Sequence, residues 1–383
     1  MTQREALRSP SPKLPVMQAQ LEIDLGAIAA NVDAISRFVR PSKFAAVLKA
    51  NAYGHGIVEV ARALEDRVER FCVYEVGEAA VLREAGIRKP ILVMGPIESS
   101  DLEVAHASDA AITLWDTGTY ARRVASVARR RSKNFAVHVK VETGVTRIGL
   151  APDAAPAAID AYARTPELTL EGAYSHLAAA EELDSDFTLV QLARFQEAVR
   201  NAPPITRHIA ASAAALLWPQ TRLDMVRVGV ALYGLWPSPE TQARLGDAIP
   251  LRPALRWTTR LVSVRDVSPE TSVGYGRTYR TTSTARIGVL PIGYAEGIPR
   301  AVSNRGAVLI DGKRCPIVGR VCMNMTMVDV TSVTSAAPGT PVTLIGRDGD
   351  AILSAEDWAN WAGTIDYEIV ARLPRDVPRV FET

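Results

Sequence analysis

The sequence is constrained first by a recurrence. Short runs rich in Val, Ile and Phe return at 43–48, 71–75, 90–94, 110–114, 135–141, 170–175, 205–209 and 225–232. Between them lie stretches with helical spacing, such as Ile28, Val32, Ile35 and Val39, or Leu189, Leu192, Phe195 and Val199. Strands that alternate with helices build parallel βαβ units. Eight of them in succession fit a closed (β/α)8 barrel of the TIM type better than a doubly wound sheet, the second choice. After Pro250 the texture changes: RWTTRLVSVRDV, ARIGVLPI, GAVLIDGKRCPIVG, MTMVDVT and TPVTLIG are β-rich and separated by Gly and Pro turns. The expected plan is therefore α/β, with a flexible tail over 1–18, a barrel over 19–248 and a C-terminal all-β domain over 249–383. The run QLEIDL at 20–25 alternates like a strand and precedes the first barrel element, so it is free to pair with the C-terminal sheet.

Composition narrows the function. A chain of 383 residues, 48% hydrophobic and with a formal net charge of only +2, suits a soluble two-domain protein and offers no basic field for nucleic acid. Cys72, Cys315 and Cys322 form neither an even disulfide framework nor a paired zinc pattern, which points to a reducing, cytoplasmic setting and to no metal. The N-terminus lacks an apolar h-region, and no later run is long and uncharged enough to span a bilayer, so no membrane partner is expected.

In such barrels chemistry gathers at the C-terminal ends of the strands. Lys49, Lys140, His176, His208, Ser212 and Arg227 all lie at or just after those ends, apart from Arg227, which lies within the last run. Lysine is scarce here, 7 residues against 37 arginines, so one placed after an apolar run is notable. Partly desolvated, Lys49 would have a lowered pKa and serve as a Schiff-base nucleophile and proton acceptor, although a lysine closing a strand is more often simply solvated. Ser212, opening SAAALLW, and the backbone N–H groups of Gly229 and Val230 sit where barrels often bind phosphate; an N-cap is the ordinary role for that serine. Arg227 reads equally as half of a buried ion pair, His176 as a satisfied strand-end histidine, and Tyr275, between two glycines, as a turn-packing ring.

Several motifs decide among these readings. AVLKANAYGHG at 46–56 resembles the pyridoxal 5'-phosphate (PLP) lysine segment of the alanine racemase family. KVETGVTRIG, SHLAAAEE, MVRVGVALYGL, VGYGRTY, IGYAEG, VGRVCMN and TIDYE follow in that family's order, so the resemblance covers nearly the whole chain from about residue 19. It implies a dimeric, PLP-dependent isomerase that interconverts L-alanine and D-alanine and supplies D-alanine for peptidoglycan. Lys49 would hold the cofactor and act as one base, and Tyr275 of the partner subunit as the other, assisted by His176. A phenol with a reference pKa of about 10 is a poor base at neutral pH without such help. Arg227 would face the pyridine nitrogen; because arginine only donates, that nitrogen would stay unprotonated and the carbanion short-lived, as a racemase needs. Tyr53, Ser212, Gly229, Val230 and Tyr367 would hold the phosphate, Arg147 the phenolic oxygen, the Met323 N–H the substrate carboxylate, and Tyr294 would line the entrance. Lys140 would be carbamylated, giving Arg147 an acceptor.

Two departures stand out. Ala211 replaces an asparagine that many members carry before the serine, and Asn324 replaces an aspartate that many carry after the methionine. A broad-specificity, serine or lysine racemase is the nearest alternative. A barrel-type PLP decarboxylase is disfavoured by Arg227, and a PLP-binding protein without catalysis by the C-terminal third.

Overall fold

The computed structural model describes residues 19–116 and 118–383; the tail expected over 1–18 lies outside them. Chain contacts divide the molecule into two compact units. Asp24–Ala254, with the last three residues, forms one; the segment ending at Ile23, together with Leu255–Val380, forms the other.

Strand β1 (Gln20–Asp24) is the first element among the described residues, and Asp24 ends it by capping the next helix, its carboxylate accepting from Ala27 N at 2.6 Å. Eight parallel strands follow: β2 (Lys43–Val47), β3 (Arg70–Val73), β4 (Ile91–Val93), β5 (Ala110–Leu114), β6 (Phe135–Lys140), β7 (Leu168–Tyr174), β8 (Thr206–His208) and β9 (Met225–Val228). They run side by side as β8-β7-β6-β5-β4-β3-β2-β9, and two backbone bonds, Asp224 N to Arg207 O and Arg227 N to Ala210 O, draw the remaining seam together. The result is a nearly closed barrel. Its β-branched and small interior, with Val73, Val93, Ile112, Val137, Val139, Val226 and Val228 fully or almost fully buried, is what a strand buried on both faces requires. The apolar run at 225–232 leaves strand geometry after Val228, because Gly229 breaks it and Val230–Tyr233 coils into a 3-10 turn. The helix Phe187–Ala198 buries Thr188, Gln191, Leu192, Phe195 and Ala198, so Leu189 faces outward and a glutamine takes a core position.

The other unit continues with β10 (Leu255–Arg260), β11 (Ser263–Val267), β12 (Ser272–Val273), β13 (Tyr279–Arg280), β14 (Ala285–Leu290), β15 (Ala307–Ile310), β16 (Lys313–Pro316), β17 (Thr326–Asp329), β18 (Pro341–Asp348), β19 (Ala351–Leu353) and β20 (Arg379–Glu382). Its main sheet runs β16-β15-β18-β10-β1-β20, with β1 antiparallel to β10. Two short helices, Ala355–Ala362 and Asp366–Ala371, accompany the strands. A Ser354–Asp357 capping box starts the first and Gly363 at φ 71° ends it, and its Trp358 donates to Leu344 O at 2.6 Å.

Candidate active site

Leu48 and Lys49 follow β2, and the backbone behind them does something that L-residues rarely do. Ala50, Asn51, Ala52 and Tyr53 all adopt left-handed φ values between 51° and 56°. This turn brings the Tyr53 ring to the Lys49 amine, with Nζ 5.7 Å from the ring centroid. Tyr53 Oη in turn meets the backbone at Gly229: a Cβ added there would lie 2.5 Å from it, so a larger residue would have to push the tyrosine hydroxyl aside. The Gly229 N–H donates to Ser212 Oγ at 3.0 Å. Tyr53, Ser212, Gly229 and the adjoining Val230 therefore converge.

Lys140 ends β6 and is buried, its ammonium 5.5 Å above the Tyr174 ring. The loop after it folds back on itself around Glu142, whose carboxylate accepts from the N–H groups of Gly144, Val145 and Arg147, leaving the Arg147 side chain exposed. His176 follows β7. Its segment is pinned by Gln191, which donates to His176 O and accepts from Ala178 N. Arg227 in β9 is 3% exposed. Its Nη1 donates to His208 Nδ1 and to His208 O at 2.8 and 2.9 Å, and its Nη2 to Ser175 O at 2.7 Å. From His208 a line of contacts crosses the barrel interior: His208 Nε2 to His138 Nδ1 at 2.9 Å, His138 Nε2 to Arg70 at 2.8 Å, and Arg70 to Glu171 at 3.0 Å. His208, which the sequence places on the rim, is a core residue that fixes Arg227.

The remaining expected residues belong to the β unit. Tyr275 sits on a turn between Gly274 and Gly276, both at positive φ, and is 72% exposed. Met323 is 57% exposed, and its carbonyl accepts from Ala295 N at 2.9 Å, which brings the Met323 and Tyr294 loops together. Tyr367 lies half-buried in the helix Asp366–Ala371.

Comparison with known proteins matches this arrangement. The alanine racemase N-terminal domain profile covers residues 23–237 and the C-terminal domain profile 254–381. Alanine racemase from Methanococcus maripaludis is 38% identical over 94% of this chain and 97% of its own length; the Desulforamulus reducens protein of the same name is 40% identical over 94% and 98%. The crystal structure of alanine racemase from Streptomyces lavendulae superposes with a TM-score of 0.89 at 35% identity, covering 96% of this chain and 97% of that one.

The chain belongs to the alanine racemase family. Within an alanine racemase barrel, the electrostatics of the gathered residues follow from crowding cations out of water. Burial first, then the Arg147 charge, lowers the Lys49 pKa from its ordinary value; Glu78 opposes this and Arg227 adds to it. Burial, Arg147 and Arg227 bring Lys140 down to about 8. His176 falls to about 3, through burial and then Arg227, Arg147, Lys140 and Lys49, and so is neutral at physiological pH. The two departures from the family pattern also acquire a local meaning. Asn324 donates to Glu296 Oε1 at 2.7 Å, a bond that an aspartate could not make without placing two carboxylates together. Ala211 precedes Ser212 at the helix start, where it offers no side-chain cap. Sequence reading missed Glu78, His138 and Gln191. A polar residue at a core position inside an apolar run, as in FAVHVKV, was the available signal.

Proposed function

We propose that this chain is a PLP-dependent alanine racemase that works by two bases. The observation that carries the reading is the convergence of Lys49, Tyr53, Lys140, His176, Ser212, Arg227 and Gly229 at one end of the barrel. The residues fit the cofactor. The cations Lys49, Lys140, Arg147 and Arg227 outnumber the carboxylates set against them, Glu78 toward Lys49 and Glu142 toward Lys140, so an anionic group suits the site. The close approach at Gly229 forms a cradle with the Tyr53 and Ser212 hydroxyls, and the family resemblance adds the Val230 N–H and the Tyr367 hydroxyl as further phosphate ligands. When bound, PLP supplies an electron-accepting ring that acidifies the substrate α-carbon.

The protein's own groups then divide the work. Lys49 Nζ, with its lowered pKa, holds the cofactor and exchanges a proton with the α-carbon on one face. Tyr275 Oη of a partner subunit exchanges it on the other, and inversion follows from having one base per face. Neutral His176 offers that tyrosine a hydrogen-bond partner. Arg227, fixed by His208 and Ser175, presents donors only; this favours an unprotonated ring nitrogen and prompt proton return over transamination. Arg147 holds the cofactor's phenolic oxygen, the Met323 N–H receives the substrate carboxylate, and Tyr294 lines the entrance. Tyr275, Met323, Met325 and Ile365 are large apolar residues exposed on the β unit, which supports a homodimer that covers them.

The test is a racemisation screen of purified protein with every L-amino acid, with and without added PLP, followed by borohydride reduction and peptide mapping. Alanine should be racemised fastest, and the reduced label should sit on Lys49. A label on another lysine, or none, removes the basis of the reading. Preferential turnover of serine or lysine would redirect its substrate. Supply of D-alanine for peptidoglycan in the cytoplasm is part of the proposal; disruption in the source organism should make growth depend on added D-alanine.

A further inference from the structure

The turn that carries Lys49 is costly by itself. Four consecutive non-glycine residues occupy the left-handed region, where the Cβ of an L-residue crowds the following carbonyl, so contacts beyond the turn must hold it. Most hydrogen bonds described for it are local: Ala52 N to Leu48 O, Gly54 N to Ala50 O, Gly56 N to Asn51 O, and Ile57 N to Asn51 Oδ1. Two of those described reach elsewhere: Leu48 N donates to Cys72 O at 2.8 Å at the end of β3, and a side chain of the following helix takes a backbone donor of the turn itself. The Asn51 N–H donates to Glu78 Oε1 at 3.2 Å.

Glu78 lies in the first turn of the helix Val76–Glu84 and is 8% exposed. Its second oxygen accepts from Tyr74 N at 2.9 Å and Glu75 N at 3.3 Å, at the end of β3. A capping glutamate needs only the bonds at its own helix start. The bond to Asn51 goes beyond that role and joins the ends of two neighbouring barrel strands through one carboxylate.

We propose that Glu78 is a positioning residue for Lys49: its carboxylate fastens the left-handed turn to the end of β3 and supplies, among the described residues, the negative charge set against the Lys49 amine. Lys49 is otherwise faced by the Tyr53 ring from its own turn, by Arg147 from the loop after β6 and by Arg227 from β9. Lys140 of β6 and His176 after β7 feel its charge as well. Without Glu78 the amine would see cations and an aromatic face only, and it would lose its proton more readily.

The inference rests on the reading of Lys49 given above, but its test does not use activity. Full-length, cofactor-free protein and its Glu78→Gln and Glu78→Asp variants are acylated with acetic anhydride across pH, and the Lys49 peptide is quantified against exposed Lys313. Hydrogen exchange over residues 50–54 is measured in parallel. Glutamine removes the charge and turns an amide toward backbone donors. The unprotonated fraction of Lys49 at neutral pH should therefore rise about threefold or more, and exchange over 50–54 should quicken about tenfold. Aspartate keeps the charge on a shorter arm, so the Lys49 titration should return close to that of the unmodified protein while exchange stays fast. A folded glutamine variant with an unshifted titration overturns the proposal, as does an equal shift in both variants. If the glutamine variant does not fold, the aspartate variant decides: fast exchange with an unshifted titration upholds the inference, and unchanged exchange overturns it. Cofactor found on another lysine would sink the functional reading and leave the Lys49 titration unaffected.

Discussion

Lys140 shows how one residue's environment sets its chemistry. Carbon dioxide adds only to an unprotonated amine, and a lysine held at about 8 offers far more of that form at neutral pH than one near its ordinary value of 10.5. Its carbamate would also replace a cation in a crowd of cations. Protein incubated with 13C-bicarbonate at pH 8 should therefore show a carbamate carbon resonance that is absent in Lys140→Ala. The signal should fade as pH is lowered through 7 to 6, because protonation removes the reactive amine. A resonance unaffected by the substitution would reject Lys140 as the site. Nothing in the spacing of KVETGVTRIG reveals the burial that lowers this pKa. The residue was legible in the sequence, its proton affinity was not.

At the scale of elements, the left-handed turn and the β9 exit are the parts that local sequence rules describe worst. A run of Ala, Asn, Ala and Tyr carries no glycine to warn of positive φ; it is held by Asn51 Oδ1, Glu78 and the strand ends. Ala50 is exposed at φ 55°. Replacing it with glycine removes a penalty of about 1–2 kcal/mol and adds about 0.4–1 kcal/mol of unfolded-state freedom. Ala50→Gly should thus stabilise the protein by roughly 0.5–1 kcal/mol in urea unfolding; destabilisation would show that the turn is not strained. Gly229 makes the opposite case. The Cβ of Gly229→Ala would displace the Tyr53 hydroxyl, so the variant should fold but bind PLP about tenfold or more weakly in absorbance titrations. Unchanged affinity would remove the cradle from the proposed phosphate site.

For the whole molecule, three histidines in the barrel tie stability to pH. Burial first depresses all three: His138 to about 4, where Glu171 partly opposes the shift, His176 to about 3, and His208 well below its usual value. Each binds fewer protons folded than unfolded. Their contribution is therefore complete above the ordinary histidine value near 6.5 and is lost as pH falls from there toward 4. Apparent Tm measured by calorimetry should be nearly level from pH 8 to 7 and drop steadily from 6.5 to 4.5; a rise over that interval would contradict the buried neutral histidines. The proposed shared site has its own test. A Lys49→Ala subunit paired with a Tyr275→Phe subunit would leave one site with both bases intact, so heterodimers purified through two tags should recover about half of wild-type activity if the sites are independent. Background activity in folded, PLP-loaded heterodimers would sink the shared site.

The barrel was legible because eight apolar runs with helical spacers fit a closed ring of βαβ units better than an open sheet, and because Lys49 and Arg227 sit at or within those runs regardless of what surrounds them. Motif order carried the family for the same reason: it depends on residues in sequence, not on contacts. What the chain could not disclose is everything that depends on residues far apart along it. His208 became the brace of Arg227 only when β8 and β9 lay side by side. Glu78 reached Asn51 only when the ends of β2 and β3 met. The pKa of each rim cation was set by burial and by other charges, and both exist only once the chain has folded.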